Sequence, residues 1–418
     1  AMMYPGTTWN YTGFESQQRV VAVDLHTGKE LWRQVLGNNE RLAFGSIFYW
    51  KTMNMYGAFA NLWTVNTVYN QATQTAIGNE WKAYDPQTGR WEYTIKNVPA
   101  GYRTVGPNGE ILIYTMQNKA GWMTMWNSTS VVYKTYRDFY LSRPGTVGQP
   151  GGGTANDAAL AEYYAGRWRP YGNIYDAAKG YDWNVSIPLG LPVDTAGTAP
   201  LTSNIQTVVQ NDRIIGSNTN WAGGAAQPTP VFWAVSIKPA DIQAAISSNQ
   251  PVRLLFNKTW TLPMADVHVD IPGSEPASLE DEIFVVSVKE QRVHYGFNIN
   301  TGEKVWGPTS PAEPFLAVFT NLYMNPWGAA VIKYGNLYTA GMQGVVNAYN
   351  VKTGEHLWTY NFSDPYTEQL FSSEWPAPIT FIVDGKISIF TQEHTANTPI
   401  ARGGPAACLN ATTGEVIW

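Results

Sequence analysis

Cysteine is nearly absent from this chain. Cys408 is the one thiol in 418 residues, so no intrachain disulfide can form and a disulfide-stapled scaffold is excluded. Charge is scarce too. Asp, Glu, Lys and Arg make up 14% of the residues, against roughly 25% in an average soluble domain. The net charge is −5, and no cluster of Lys and Arg interleaves with aromatics, so the electrostatic footprint of a nucleic-acid binder is missing. No apolar run approaches the roughly 18–20 residues that cross a bilayer as a helix. The opening Ala-Met-Met-Tyr-Pro-Gly has neither the basic nor the apolar region of a signal peptide. No Gly-x-Ser-x-Gly elbow, His-Glu-x-x-His helix or Gly-x-x-x-x-Gly-Lys phosphate loop occurs.

Aromatic and turn-forming residues are plentiful. Aromatics reach 14%, with 18 Trp and 24 Tyr beside 38 Gly and 26 Pro. That is ample core material for a β-rich, turn-rich chain whose surface is polar but mostly uncharged.

One phrase recurs five times. It reads Asp24, Thr27, Gly28, Trp32; then Asp85, Thr88, Gly89, with Tyr93 in the Trp place. It returns as Asn298, Thr301, Gly302, Trp306; as Asn350, Thr353, Gly354, Trp358; and as Asn410, Thr413, Gly414, Trp418. A small residue stands two places before each Asp or Asn: Ala22, Ala83, Gly296, Ala348 and Cys408. The Asp or Asn side chain can bond the backbone two residues on and close a turn. Gly supplies the positive φ that a tight hairpin needs. The aromatic then follows on a second strand. A large ring and a small residue at fixed offsets suggest that each ring packs over the small residue of a neighbouring blade. These residues are therefore structural.

The first two copies are 61 residues apart and the last three are separated by 52 and 60, near the roughly 40–50 residues of a four-stranded propeller blade. Three degenerate places fill the long gap: Met125-Trp126-Asn127, Asp182-Trp183-Asn184 and Trp233-Ala234-Val235-Ser236. Eight places predict an all-β fold, a propeller of eight four-stranded blades, with seven as the alternative. Loop and short-helix insertions are expected at Pro144–Asn156, Asp157–Tyr164, Pro239–Ser247 and Pro263–Leu279. Residues 1–418 read as one domain. Few residues precede the first copy, and the last ends on Trp418, so the chain is expected to be part of a longer secreted protein.

The phrase Ala-x-Asp-x-x-Thr-Gly-x-x-x-Trp resembles the tryptophan-docking motif of the PQQ-like β-propeller repeat family, over nearly the whole chain. Residues 94–109, 168–188, 257–262 and 294–308 look like archaeal secreted or surface proteins of that family. The resemblance implies three functional types: quinoprotein dehydrogenases that bind pyrroloquinoline quinone and calcium, assembly scaffolds of bacterial outer membranes, and surface proteins with no established reaction. The dehydrogenases commonly carry adjacent cysteines near the cofactor, and this chain has only Cys408.

Asp266, His268 and Asp270 are the best local metal candidates, because period-two spacing on a strand puts them on one face. A half-exposed strand carries the same pattern. Glu280-Asp281-Glu282 is another acidic run that calcium could use, and it reads more simply as a solvated loop. Asp384-Gly385 reads as a hairpin turn. Six Asn-x-Ser/Thr sequons occur, at Asn10, Asn127, Asn184, Asn257, Asn361 and Asn410. Asn127, Asn184 and Asn410 occupy the Asp/Asn place of turns, which makes them weaker acceptors. No catalytic residue and no cofactor site is assigned.

The expected function is that of an extracellular, cell-surface, non-catalytic propeller in surface structure, adhesion or protein–protein assembly. N-linked glycans, and either other surface proteins or copies of itself as partners, go with that reading. The alternatives are a quinone- and calcium-dependent oxidoreductase and a periplasmic-type assembly scaffold that holds partner peptides along a blade edge. The intact mass of the protein isolated from its source should exceed that of the bare polypeptide by glycan increments; a mass equal to the polypeptide contradicts glycosylation.

Overall fold

The computed structural model describes residues 2–5, 19–24, 26–51, 56–69, 72, 76–142, 160–161, 164–165, 169–193, 205–219, 229–262, 267–272, 275–313, 330–341, 344–363, 375, 377–390 and 405–418. Two compact units are present: 1–116 with 123–184, and 117–122 with 185–418.

In the first unit, β1 (Met2–Pro5), β2 (Arg19–Val23) and β3 (Glu30–Val35) form a three-stranded sheet. The second sheet holds β4 (Leu42–Lys51), β5 (Tyr56–Tyr69), β6 (Ala76–Tyr84) and β7 (Trp91–Lys96). The third begins with β8 (Tyr102–Val105), β9 (Ile111–Gln117) and β10 (Trp122–Asn127), and helix α1 (Ser128–Leu141) follows at once. Then β11 (Ile174–Asp176) returns to the second sheet as a fifth strand, and β12 (Tyr181–Ser186) joins the third beside β10.

In the second unit, β13 (Ile205–Val209), β14 (Arg213–Ser217) and β15 (Val231–Ser236) are followed by helix α2 (Pro239–Ser248), and β16 (Leu254–Thr259) completes the sheet. The next contains β17 (Val269–Asp270), β18 (Ala277–Ser278), β19 (Ile283–Val288), β20 (Val293–Asn298) and β21 (Lys304–Trp306). After it come β22 (Ala330–Lys333), β23 (Asn336–Ala340), β24 (Val345–Asn350) and β25 (His356–Asn361). The last has β26 (Ile379–Val383), β27 (Lys386–Phe390) and β28 (Ala406–Asn410). Residues 416–418 run beside β28, bonded through Ile417 N to Cys408 O and Cys408 N to Trp418 O.

The fold is all-β, a β-propeller with few helices. Six sheets reach four strands once the 416–418 edge is counted, and the first has three. A propeller of eight blades is not what these sheets give, and seven complete blades are not present among the described residues either. The miscount has a definite source. The Asp182-Trp183-Asn184 place lies in β12, the neighbour of β10, whose last residue is Asn127. Two of the eight places therefore belong to one sheet. At Asn127 a helix replaces the hairpin: its Oδ1 accepts from Thr129 N at 3.0 Å and caps α1. The helix expected at Pro239–Ser247 is α2, with Pro at its first turn. The loop expected at 144–156 lies outside the described residues, as do most of 157–164 and part of 263–279.

The repeated turns are built alike. Asn298 Oδ1 accepts from Asn300 N at 2.9 Å and Thr301 N at 3.0 Å, and Asn350 and Asn410 do the same with their own turns. The turn glycines have φ of 68–74°, which L side chains avoid. At Gly89, Gly302, Gly354 and Gly414, though not at Gly28, space forbids a side chain as well. A Cβ on Gly354 would lie 2.5 Å from the Trp306 ring, one on Gly414 2.6 Å from the Trp358 ring, and one on Gly89 2.9 Å from the Trp32 ring. The ring of one sheet thus rests on the turn glycine of the next. Trp32 Nε1 donates to Pro86 O at 3.0 Å, and Trp306 Nε1 to Val351 O at 2.8 Å, which ties ring to turn.

The small residue has a different role from the one expected. Register pairs Ala22 with Trp32, Ala83 with Tyr93, Gly296 with Trp306 and Ala348 with Trp358, each within its own sheet. The ring lies across its own blade's small residue and reaches the neighbour's turn. The sheet of β13–β16 has an anchor that no spacing rule shows. Ala234 pairs with Phe256, whose ring lies 2.5 Å from where a Gly302 Cβ would be. Helix α2 separates the two halves of that motif.

Two buried carboxylates also join consecutive sheets. Glu313, after β21, accepts from Thr339 Oγ1 at 2.6 Å, Asn347 Nδ2 at 2.8 Å and Tyr349 OH at 3.0 Å, and its Oε1 lies 3.3 Å from His294 Nε2. Burial opposes its charge, yet these donors hold its carboxyl below the ordinary range. Glu40, after β3, accepts likewise from Thr64, Tyr84 and Lys82. The tyrosines stand just before Asp85 and Asn350, so this clasp also follows the repeat.

Trp306→Ala should destabilise the second unit by about 3–5 kcal/mol, the usual cost of emptying an aromatic site. Trp306→Phe should cost less, having lost mainly the bond to Val351 O. Urea unfolding of the three proteins checks the order.

Candidate interaction rim

Each ring reaches the next turn because the strand bearing it is bulged. Ala22 pairs with Trp32 but Val23 with Glu30, which leaves Leu31 unpaired. Val305 is left out in the same way between Lys304 and Trp306, and Leu357 between His356 and Trp358. A β-bulge gives two residues against one, bends the strand and re-aims side chains. Here it turns the ring inward and the residue before it outward. Leu31 is 48% exposed, Val305 51% and Leu357 43%. An exposed aliphatic thus recurs on the outermost strand of three sheets, beside that strand's outer edge. Single exposed apolar residues are ordinary, but their return at one structural position is not.

In the second sheet the same place is covered. The bulge residue is Glu92, between Trp91 and Tyr93. The chain's own segment 169–176 lies over it and adds β11 to β7 as a parallel strand, Ile174 beside Thr94, Tyr175 beside Ile95 and Asp176 beside Lys96. Gly172 N donates to Glu92 O at 2.6 Å, and Thr94 N to Asn173 O at 3.1 Å. The Arg169 guanidinium sits 4.5 Å from the centre of the Phe59 ring. Burial, with Asp85 nearby, pushes the Glu92 carboxyl up to about 7, while the Asn61 amide donating to it and the Arg169 charge act the other way. An outer blade edge of this protein therefore accepts an extended segment, by backbone bonds along the strand and side chains over the bulge.

Two of the three metal candidates, His268 and Asp270, lie among the described residues, and each has a partner of its own. Asp266 lies outside the described residues. His268 Nδ1 is 2.8 Å from Glu290 Oε1, and His268 N donates to Glu290 Oε2 at 2.7 Å. Asp270 accepts from Ile271 N at 2.9 Å, and burial pushes its carboxyl up to about 7. In the acidic run, Asp281 accepts from Ser278 Oγ at 2.8 Å and Glu282 from Asn300 Nδ2 at 3.1 Å. Among the described residues no three His, Cys, Asp or Glu converge to hold a metal ion.

The sequons divide differently from the expectation. Asn184 stands exposed on β12 and not in a turn, and Asn257 on β16 and Asn361 on β25 are exposed too. All three lie on outer strands. Asn127 is engaged at both side-chain atoms, with Thr129 and with Asp182 Oδ2 at 3.0 Å. Asn410 Oδ1 is held in its turn, and Asn10 lies outside the described residues. The outer strands β3 and β21 carry no sequon.

Because the Glu92 carboxyl is raised when folded, the folded state binds more protons between its ordinary 4.5 and about 7. Stability from this group is therefore full at low pH and falls as pH rises through that window. Glu92→Gln should flatten this part of the stability–pH curve and be more stable than wild type at pH 8. Thermal melts of both proteins across pH 4–8 check the sign.

A family model described as outer membrane protein assembly factor BamB matches residues 258–372. No curated protein matches the chain. Among solved structures, the computationally designed Ika8 protein matches at 10% identity and a TM-score of 0.38, over 90% of this chain and 74% of that one. BamB from Moraxella catarrhalis matches at 10% identity and a TM-score of 0.37, over 89% of this chain and 76% of that one. Superpositions that loose carry no argument. From the family match and its own turns, the chain carries the repeat of the PQQ-like β-propellers, and residues 258–372 match the family model.

Proposed function

We propose that this protein is an extracellular, non-catalytic scaffold of the cell surface whose blade rims hold extended segments of partner proteins or of other copies of itself. The observation that carries the reading is β11 lying along β7. It is strand addition performed by the chain on itself, the mode by which many domains bind extended peptides. Leu31, Val305 and Leu357 offer exposed aliphatics at the corresponding place on β3, β21 and β25. Backbone bonds along the edge would give affinity, and the aliphatic at the bulge would set register.

Low charge and six sequons support a surface location. Glycans on Asn184, Asn257 and Asn361 would cover the rims of β12, β16 and β25 and leave β3 and β21 open. Covering an edge is a common defence against indiscriminate strand pairing. The family description, an assembly factor, supports the scaffold reading from a separate direction.

Photo-crosslinking side chains placed at Leu31 and Val305, in protein expressed on its native cells, test the reading. Cross-links to one defined partner, or to another copy, are expected from both positions. Controls at exposed polar positions such as Lys29 should give none. Equal cross-linking from rim and control positions, or none from either rim, overturns the proposal.

A further inference from the structure

The second sheet carries a cleft that the rim reading does not use. It has a volume of about 390 Å³, within the roughly 300–1,000 Å³ of small-molecule sites. Its floor is three cross-strand pairs of β6 and β7: Tyr84 with Trp91, Lys82 with Thr94, and Glu80 with Lys96. Residues 80, 82 and 84 share a face by strand period. Trp91 and Thr94 would not, by parity alone; the bulge at Glu92 brings them onto one side. Ile174 of β11, 61% exposed, forms one wall and Gly37 the other.

The cleft runs from an aromatic end to a charged end. Trp91 is 43% exposed. Its Nε1 donates to Thr94 Oγ1 at 2.9 Å, which pins the indole at the cleft. At the other end Lys96 Nζ lies 3.8 Å from Glu80, a loose pair, with the Lys96 side chain half exposed. Lys82 is committed to Glu40 and lies 3.2 Å from Glu80. Two lysines face two glutamates, so the site has no net charge to attract an ionic ligand. A fitting ligand is neutral, has one flat apolar face, and carries hydroxyls that both donate and accept. A sugar ring has all three properties: its C–H face lies on an indole, and its hydroxyls can bond a carboxylate and an ammonium together.

We propose that this cleft is a binding site for a neutral saccharide, with one ring face stacked on Trp91 and ring hydroxyls bonded to Glu80 and Lys96. The site is separate from the rim edges of β3, β21 and β25, and its test is independent of theirs. Saturation-transfer NMR on the full chain, with glucose, mannose, N-acetylglucosamine, maltose and cellobiose, identifies a binder, and calorimetry measures its affinity. At least one sugar should bind with a Kd of about 1 mM or tighter. Trp91→Ala should weaken it at least about tenfold, Trp91→Phe much less, and Lys96→Met several-fold, with unchanged melting temperature for the last. Since Lys96 is a surface side chain, Lys96→Met keeps the test decisive if Trp91→Ala does not fold. No binding by any of the five sugars with a Kd of about 1 mM or tighter, or affinities unmoved by Lys96→Met and by either Trp91 variant, overturns the proposal.

Discussion

An aromatic ring resting on the glycine of the next sheet's turn is the contact on which the repeat depends. It explains why that glycine is fixed twice over, by its φ and by the ring where its Cβ would be. It explains the small residue across from the ring, since Gly296 has Trp306 lying 2.1 Å from where a Cβ would be. It also requires the bulge, because a regular strand would aim the ring elsewhere. The bulge in turn pushes Leu31, Val305 and Leu357 into solvent. The apolar rim is thus a geometric consequence of the way one sheet holds the next.

That dependence is also what makes the second sheet informative. There the bulge residue is Glu92, and the chain covers it with its own segment, which buries the carboxyl and raises it to about 7. The fifth strand and the raised carboxyl are two results of one event, the addition of an extended segment to a blade edge. A scaffold that uses its rims needs no new fold element to do so. It needs only a partner strand in the place that residues 172–176 already occupy on β7.

The parts legible in the sequence were those held by short-range chemistry. Asp or Asn, Thr and Gly at fixed offsets specify a turn whatever surrounds it, and the Asp384-Gly385 hairpin formed between β26 and β27 for the same reason. The parts that were not legible depend on register or on long-range closure. Phe256 is an anchor, but α2 lies between it and Ala234, so no spacing reveals it. Asn127 and Asn184 read as two blades because nothing local says that β12 returns to β10. The bulge, and with it the rim, exists only in the pairing of two strands. The Glu40 and Glu313 clasps carry a faint sequence trace, the Tyr before Asp85 and before Asn350 in place of Phe297 or Leu409. Of the alternation Asp266, His268, Asp270, Asp270 alone lies on a strand among the described residues, and His268 bonds Glu290.

The most direct measurement is a density map of the protein as isolated from its source, together with whatever co-purifies with it. The account predicts extended backbone density in register beside β3 or β21, running over Leu31 or Val305 as residues 172–176 run over Glu92. Bare outer edges on both strands, with partners attached through other surfaces, would contradict it.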